Sequence, residues 1–441
     1  MKAAWIVAAC LMFAQPVAAD WWQAITAYGQ QDYRLAQQEF EKLLPLGNKD
    51  AAFNLGAMYF NGEGVQQDAA KALAHFMLAA ELGRVDAAKL VVQQQQNIDA
   101  LSLAQAEQQL QQLKQQVQIW PKHWQGEQLQ VELPAPIKRV LPKYPPAAAQ
   151  AGQFGYVAMR FLVDEQGKVQ SVDVVDAYPE KVFDRESIRA VRRWQYEATG
   201  SKHLLTIQLD FALDGGVRIA RVDEIINQNQ LWQGALLGSP QHQFWLGSLL
   251  RLVDLQSMNT LSIDDSLPIA PELDLSVFRR LSTVKVDFDG FVGHAVVRVA
   301  DDGTIVEEFR ADFAASSKVK SLLGLKLKGK FETDVYRIIK TESERNAFPV
   351  VKASFKVPAS YSAHFWWDQA AQNGHPGAQR IMAAYDPRWE QYLLAQQDAE
   401  VMAWVGSRLM LEGQRQQGLA LLDAAIAKNY LLAAELKKQL L

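Results

Sequence analysis

Gly324-Leu325-Lys326-Leu327-Lys328-Gly329-Lys330 has the glycine and lysine spacing of a phosphate-binding loop. Such a loop aims backbone N–H groups and a lysine at phosphates, and a following Ser or Thr holds magnesium. Here Phe331 stands where that hydroxyl belongs, and alternating Lys326 and Lys328 predict an exposed basic strand. Asp287-Phe288-Asp289-Gly290 starts like a calcium loop but lacks the full register and the later glutamate, so it predicts a turn. The 7 histidines are scattered, without an HExxH pair, and His364 and His375 are too far apart in sequence to form one. Glu307 and Glu308 are neighbours in a predicted strand, so they face opposite sides and make no general acid/base pair. A serine nucleophile elbow is absent. No catalytic residue, metal ligand or cofactor is expected. The chain reads as a binding or scaffolding protein rather than an enzyme.

The residues at the start predict export. Lys2 precedes an apolar run through Ala14, and Val17-Ala18-Ala19 precedes Asp20. A basic start, a short apolar core and small residues before a polar one describe a signal peptide over 1–19. The core is shorter than the roughly 20 residues that cross a bilayer. A retained anchor and a lipidated Cys10, in Val7-Ala8-Ala9-Cys10, are the alternatives. Cys10 is the only cysteine. Cleavage would leave a periplasmic chain without disulfides, thiol chemistry or cysteine-held zinc. A formal charge of -4, with the two signs well mixed, argues against an extended nucleic-acid or anionic-membrane surface.

Which elements would position a binding surface? Residues 20–120 carry apolar residues at helical spacing, from Trp21 through Phe40 and Leu44. Ala51–Tyr59 predicts a short helix, Asn61–Val65 a turn, and Ala69–Leu82 a helix capped by Asp68 and ended by Gly83. Leu103, Ala106, Leu110, Leu113 and Val117 form a further helical stripe. Residues 121–141, with Pro121, Pro134 and Pro136, predict a linker.

Tyr156–Val163 alternates, with Val157, Met159, Phe161 and Val163 on one face. Asp164–Gly167 predicts a hairpin turn into a strand over Val169–Val175. Phe183–Trp194 has helical spacing, and Leu205, Ile207, Leu209 and Phe211 alternate again. The order is β-β-α-β, a helix packed on a small antiparallel sheet.

Two family resemblances follow from these residues. Leu55, Gly56, Met58, Tyr59, Gly62, Gly64, Asp68, Ala79, Ala80 and Gly83 resemble one Sel1-like unit of the tetratricopeptide-type repeats. That reading spans 29–120 and, in degenerate form, 361–441. Such arrays hold partner proteins. Tyr144-Pro145, Gly152, Gly155, Val157, Phe161, Asp164, Gly167, Phe183-Asp184, Trp194 and Tyr196 resemble the C-terminal domain of the TonB family, over 142–211. Ala198 stands where that family commonly has proline. The resemblance implies structural roles for Tyr144, Pro145, Gly152, Gly155, Gly167 and Trp194. It also implies a strand edge that takes up a short extended peptide. The expected edge is the last strand: Leu204, Leu205, Thr206, Ile207, Gln208 and Leu209.

Residues 214–259 predict a helical connector. Residues 260–358 predict a mostly β domain, from Val284–Phe288, Gly293–Val299, Thr304–Phe309, Phe331–Ile339 and Val350–Val357, with a hairpin at Asp301-Asp302-Gly303. Residues 359–441 are helical again, with Leu419–Ala427 and Ala433–Leu440 a degenerate pair. The expected fold is multidomain α+β: helical repeats at 20–120, the β-β-α-β module at 142–213, the β domain and the C-terminal helical region. The expected function is a periplasmic adaptor for envelope proteins or peptides, an outer-membrane receptor or cell-wall component among them. The alternatives are an atypical TonB-type energy transducer and an envelope hydrolase with a site in 260–358.

Overall fold

The computed structural model describes residues 20–121, 134–213, 217–255, 260–279, 283–341 and 348–441. The predicted export segment with Cys10, and most of the predicted linker, lie outside the described residues. The chain divides into two compact units. Among the described residues the first holds 20–121 with the short segment 371–376, and the second holds the others.

Among the described residues six helices build the first unit: α1 Trp21–Gly29, α2 Tyr33–Leu43, α3 Lys49–Asn61, α4 Ala69–Glu81, α5 Val85–Asn97 and α6 Ala100–Gln116. Asp20, Asp32, Asn48, Asp68 and Asp99 each accept a first-turn amide, which sets where five of them start. Gly62 stops α3 in the left-handed region, at φ 74°. Phe40, Leu55, Met58, Leu73, Phe76 and Leu78 form its buried interior. A methyl on Gly56 would lie 2.7 Å from the Phe76 ring, so α3 and α4 touch only because that residue is small. The predicted stripe on α6 packs Ala106, Leu103 and Leu113 on Ala70, Leu73 and Ala74 of α4. Asn373 completes this unit. It accepts the Trp21 N–H through its carbonyl at 3.1 Å and the Asn48 side-chain amide through Oδ1 at 2.6 Å.

The second unit begins with β1 Pro136–Lys138, α7 Pro146–Gln150, β2 Gly155–Val163, β3 Val169–Tyr178, α8 Asp184–Val191, β4 Gln195–Tyr196 and β5 His203–Phe211. The sheet order is β3-β2-β5, all antiparallel, and β1 pairs with β4 as a separate ribbon. Helices α9 Ile219–Gln228, α10 Leu231–Leu236 and α11 Pro240–Leu255 follow. Then come β6 Thr260–Ile263, β7 Lys285–Val286, β8 Gly293–Val299, β9 Ile305–Phe313, β10 Leu327–Lys328, β11 Val335–Lys340 and β12 Val350–Val357. They form a five-stranded sheet, β6-β12-β11-β8-β9, and a β7–β10 ribbon. The unit ends in α12 Ala363–Gln372, α13 Pro376–Tyr385, α14 Pro387–Ala395, α15 Ala399–Leu411, α16 Arg415–Ala427 and α17 Leu431–Leu440.

Several elements differ from their sequence patterns. The strand expected to end at Val175 runs to Tyr178, because Ala177 and Tyr178 pair across to Val157 and Tyr156. The helix expected to reach Trp194 stops at Val191, since the N–H groups of Arg193 and Trp194 turn back to the carbonyls of Ala190 and Val191. Val284–Phe288 is a strand only at Lys285–Val286. The last long strand of the β domain before β12 covers Val335–Lys340 rather than Phe331–Ile339.

The core of the first sheet is the face read from alternation. Val157, Met159, Phe161 and Val163 join Val172, Leu205 and Phe211 beneath Phe183, Val191 and Trp194. The opposite face is also covered. Leu162 and Leu204 pack on Met402, Ala403, Trp404, Leu422 and Leu436 of the last three helices.

Candidate partner-binding edge of the first sheet

The expected binding residues lie on β5. This strand pairs with β2 through nine matched positions, from Gly155↔Phe211 to Val163↔His203. Among the described residues no strand pairs with its other side. An unpaired strand edge offers a row of backbone donors and acceptors. Leu205 is buried, and Ile207 and Leu209 pack partly against the same core. Leu204, Thr206 and Gln208 take the other face. Leu204 packs on the C-terminal helices, Thr206 is exposed, and Gln208 accepts from Arg251 Nε at 3.3 Å.

A groove of about 170 Å³ lies beside this face, lined by Leu204, Leu205 and Thr206 with Arg380, Glu390, Trp404 and Arg408. Its cations are already matched. Arg380 reaches Asp398 at 3.0 Å, and Arg408 reaches Glu390 at 2.6 Å. The groove therefore presents an indole and aliphatic walls with balanced charge, suited to side chains of a strand laid along β5.

The residues for which the resemblance implies structural roles take the following places in the module. Tyr144 sets its ring edge against Phe183 and Phe211, at 5.5 and 5.8 Å, and its hydroxyl donates to the Gln153 carbonyl. Pro145 precedes α7, and Gly152 follows it in the left-handed region. Gly155 lies so close to Tyr178 that an added methyl would overlap its carbonyl oxygen. Gly167, at φ 78°, turns the hairpin against the Tyr196 carbonyl. Trp194 donates its indole N–H to the Val140 carbonyl at 2.9 Å.

A polar cluster on the covered face was not read from the sequence. Arg160 meets Asp173 at 2.9 Å and Glu400 at 2.5 Å, and stacks its guanidinium over the Trp404 ring. Asp173 also accepts from the Trp404 indole and the Tyr430 hydroxyl. Burial raises the Glu400 carboxyl above its ordinary range, partly offset by Arg160. Burial also raises Tyr430, reinforced by Asp173. Arg160 and Asp173 are opposite each other across the hairpin. That pairing is legible in the sequence, but the helix that covers it is not.

The chemistry-bearing motifs occupy other places. Lys326 and Lys328 flank or lie in the two-residue β10 and pair with Asp302 at 2.8 Å and Asp287 at 2.6 Å. The chain after Lys330 leads into β11 rather than a helix. Glu307 pairs with Arg298, while Glu308 accepts the Leu322 N–H. Burial lowers His364 and His375 to about 4 each. Among the described residues no group of three His, Cys, Asp or Glu side chains is placed to hold a metal ion.

Residues 140–213 match the family of Gram-negative bacterial TonB protein C-terminal domains. This TonB-like module is similar to Protein TonB of Yersinia enterocolitica, 33% identical over 73 residues, 17% of this chain and 29% of that protein. It is similar to Protein TonB of Salmonella typhimurium, 34% identical over 86 residues, 20% of this chain and 36% of that protein. The chain thus spans about a third of the length of these curated relatives. The solution structure of the Pseudomonas aeruginosa TonB C-terminal domain is 26% identical, covering 20% of this chain and 92% of that chain, with a TM-score of 0.18. Among the described residues no helix is long and apolar enough to cross a membrane.

Proposed function

We propose that this protein is a periplasmic adaptor, not an enzyme, whose β5 edge takes up a short extended segment of an envelope protein. Its helical regions, Sel1-like in sequence, would hold a second partner. The observation that carries this reading is the unpaired outer side of β5 beside an uncharged-on-balance groove. A strand added there gains affinity from main-chain hydrogen bonds and selectivity from alternate side chains.

The test uses the full chain and synthetic extended peptides from the periplasmic ends of outer-membrane receptors, titrated by fluorescence anisotropy. Successive residues of an edge strand direct their N–H groups alternately inward and outward, so Thr206→Pro and Ile207→Pro form a matched pair. One variant should keep the fold and bind at least roughly tenfold more weakly, about 1.4 kcal/mol. Peptides that ignore the folded protein, or that bind both folded variants as they bind the parent, would sink the proposal.

The TonB-like module also suits a second reading, an atypical energy transducer. That reading requires residues 1–19 to stay in the inner membrane. Membrane fractionation with N-terminal sequencing decides it, since a mature chain starting at Asp20 removes the anchor.

A further inference from the structure

The β domain repeats the backbone plan of the TonB-like module. Gly155 opens β2 and Gly293 opens β8, and a methyl on either would overlap a partner-strand carbonyl, of Tyr178 and Asp312 respectively. Each hairpin slips register after the fourth residue, between Ala158 and Met159 and between Val296 and Val297. Each slips again shortly before its turn.

The turns match bond for bond. Asp164 N–H donates to Lys168 O at 2.9 Å, and Ala300 N–H to Thr304 O at 2.8 Å. Gly167 N–H returns to Asp164 O and Gly303 N–H to Ala300 O, with φ 78° and 83°. Beyond each turn the chain makes the same isolated bridge, Lys168↔Gln195 and Thr304↔Lys326. Tyr196 N–H then donates to Gly167 O, and Leu327 N–H to Gly303 O, both at 2.8 Å. The next strand pairs backwards in both cases: Tyr196 with Pro136, and Leu327 with Val286. The sheet orders correspond, β3-β2-β5 with β9-β8-β11.

Two things differ. No helix lies between β7 and β8 or between β9 and β10, where the first module has α7 and α8. The other difference is at the edge. β12 pairs antiparallel with β11, from Val335↔Ser354 to Ile339↔Val350, and β6 lies beyond it. These strands stand on the side of β11 that corresponds to the open side of β5.

We infer that residues 285–340 are a second module of the TonB-like plan, reduced to its strands, and that β12 fills in cis the edge that β5 leaves open. Among the described residues the last strand of the first plan, β5, is therefore open on its outer side, and that of the second, β11, is self-filled. Resting on the proposed function, this leaves β5 rather than β11 to capture an extended segment, one per chain. The occupant of the second edge is a segment of this chain, Val350–Val357, whose Ala353, Phe355 and Val357 are buried.

Backbone hydrogen exchange on the full chain tests this in two arms. In the free protein, every amide of Tyr336–Ile339 should exchange slowly, because β11 is bonded on both sides. Alternate amides of β5 should exchange at least about 100-fold faster. A fast alternate set on β11 overturns the inference, whatever binds. In the second arm the receptor-derived peptides are added. Protection on β5 alone, saturating at one peptide per chain, supports the inference, and protection on β11 overturns it. If no peptide binds, the proposed function fails, while the free-protein arm still decides the self-filled edge.

Discussion

Trp404 donates its indole N–H to the Asp173 carboxylate at 2.9 Å, tying α15 to the second strand of the TonB-like sheet. The same Asp173 oxygen accepts from the Tyr430 hydroxyl at 2.8 Å and from Arg160 at 2.9 Å. One carboxylate thus joins two C-terminal helices to a sheet face that sequence alternation alone would leave in water.

Asp173→Ala removes the acceptor from three donors at once. The side chains are mostly buried, so the donors lose their partner without full access to water. The full chain should lose about 2–4 kcal/mol. Urea unfolding measures it, with Asp173→Asn recovering part of the loss by keeping one acceptor. An unchanged midpoint for Asp173→Ala would mean that the helices are held by Leu162, Leu204 and their apolar neighbours alone.

Stability should respond to pH through Asp176. Burial raises this carboxyl to about 6, against hydrogen bonds from Tyr156 and the Ala177 N–H. The folded state then binds more protons than the unfolded state between about 4 and 6. Its contribution is fully present below the unfolded value, is lost as pH rises through about 6, and is flat beyond. Asp368 is raised to about 6 by burial and acts in the same direction. His364 and His375 are lowered by burial and act oppositely over the same window. The difference between the parent and Asp176→Asn isolates one group. The asparagine variant should gain relative stability as pH rises from 4 to 7, measured by denaturant unfolding. A constant difference would show that Asp176 does not change its proton on unfolding in that range.

Gly167 and Gly303 should respond alike to alanine. Each has a positive φ, and a methyl on each would lie 2.1 or 2.2 Å from a carbonyl oxygen, of Tyr196 and Leu327. Both strain and overlap apply, so each substitution should cost about 2–4 kcal/mol. Gly200 has φ 73° with open space around it. Gly200→Ala should therefore cost only about 1 kcal/mol, the conformational part alone. Thermal unfolding of the three variants separates the two effects. A tolerated Gly303→Ala beside a damaging Gly167→Ala would break the equivalence of the two turns.

Trp194→Phe keeps most of the ring but deletes the donor to the Val140 carbonyl. The residue is 4% exposed, so water does not readily replace the lost bond. A loss of about 1–2 kcal/mol is expected in chemical unfolding. No loss would mean that Val140 finds another donor.

Local chemistry determined much of this protein. Alternation at Val157–Val163 and Leu205–Phe211 named the core face, because successive side chains on a strand point to opposite sides. Asp68 and Gly83 marked the limits of α4 because an unpaired first-turn amide and a left-handed exit favour those residue types. The family resemblance at Tyr144–Tyr196 located the module. Contacts between distant segments decided the rest. Alternation leaves Arg160 and Asp173 off the apolar face, and Glu400, Trp404 and Tyr430 reach them from more than two hundred residues away. Phe331–Ile339 and Leu205–Phe211 both read as strands, yet the strand found at the first, Val335–Lys340, is flanked on both sides and that at the second, His203–Phe211, is an edge. An alternating pattern specifies which face of a strand is apolar. Backbone groups are the same in every residue but proline, so the pattern does not specify what pairs with its sides; only the tertiary structure does.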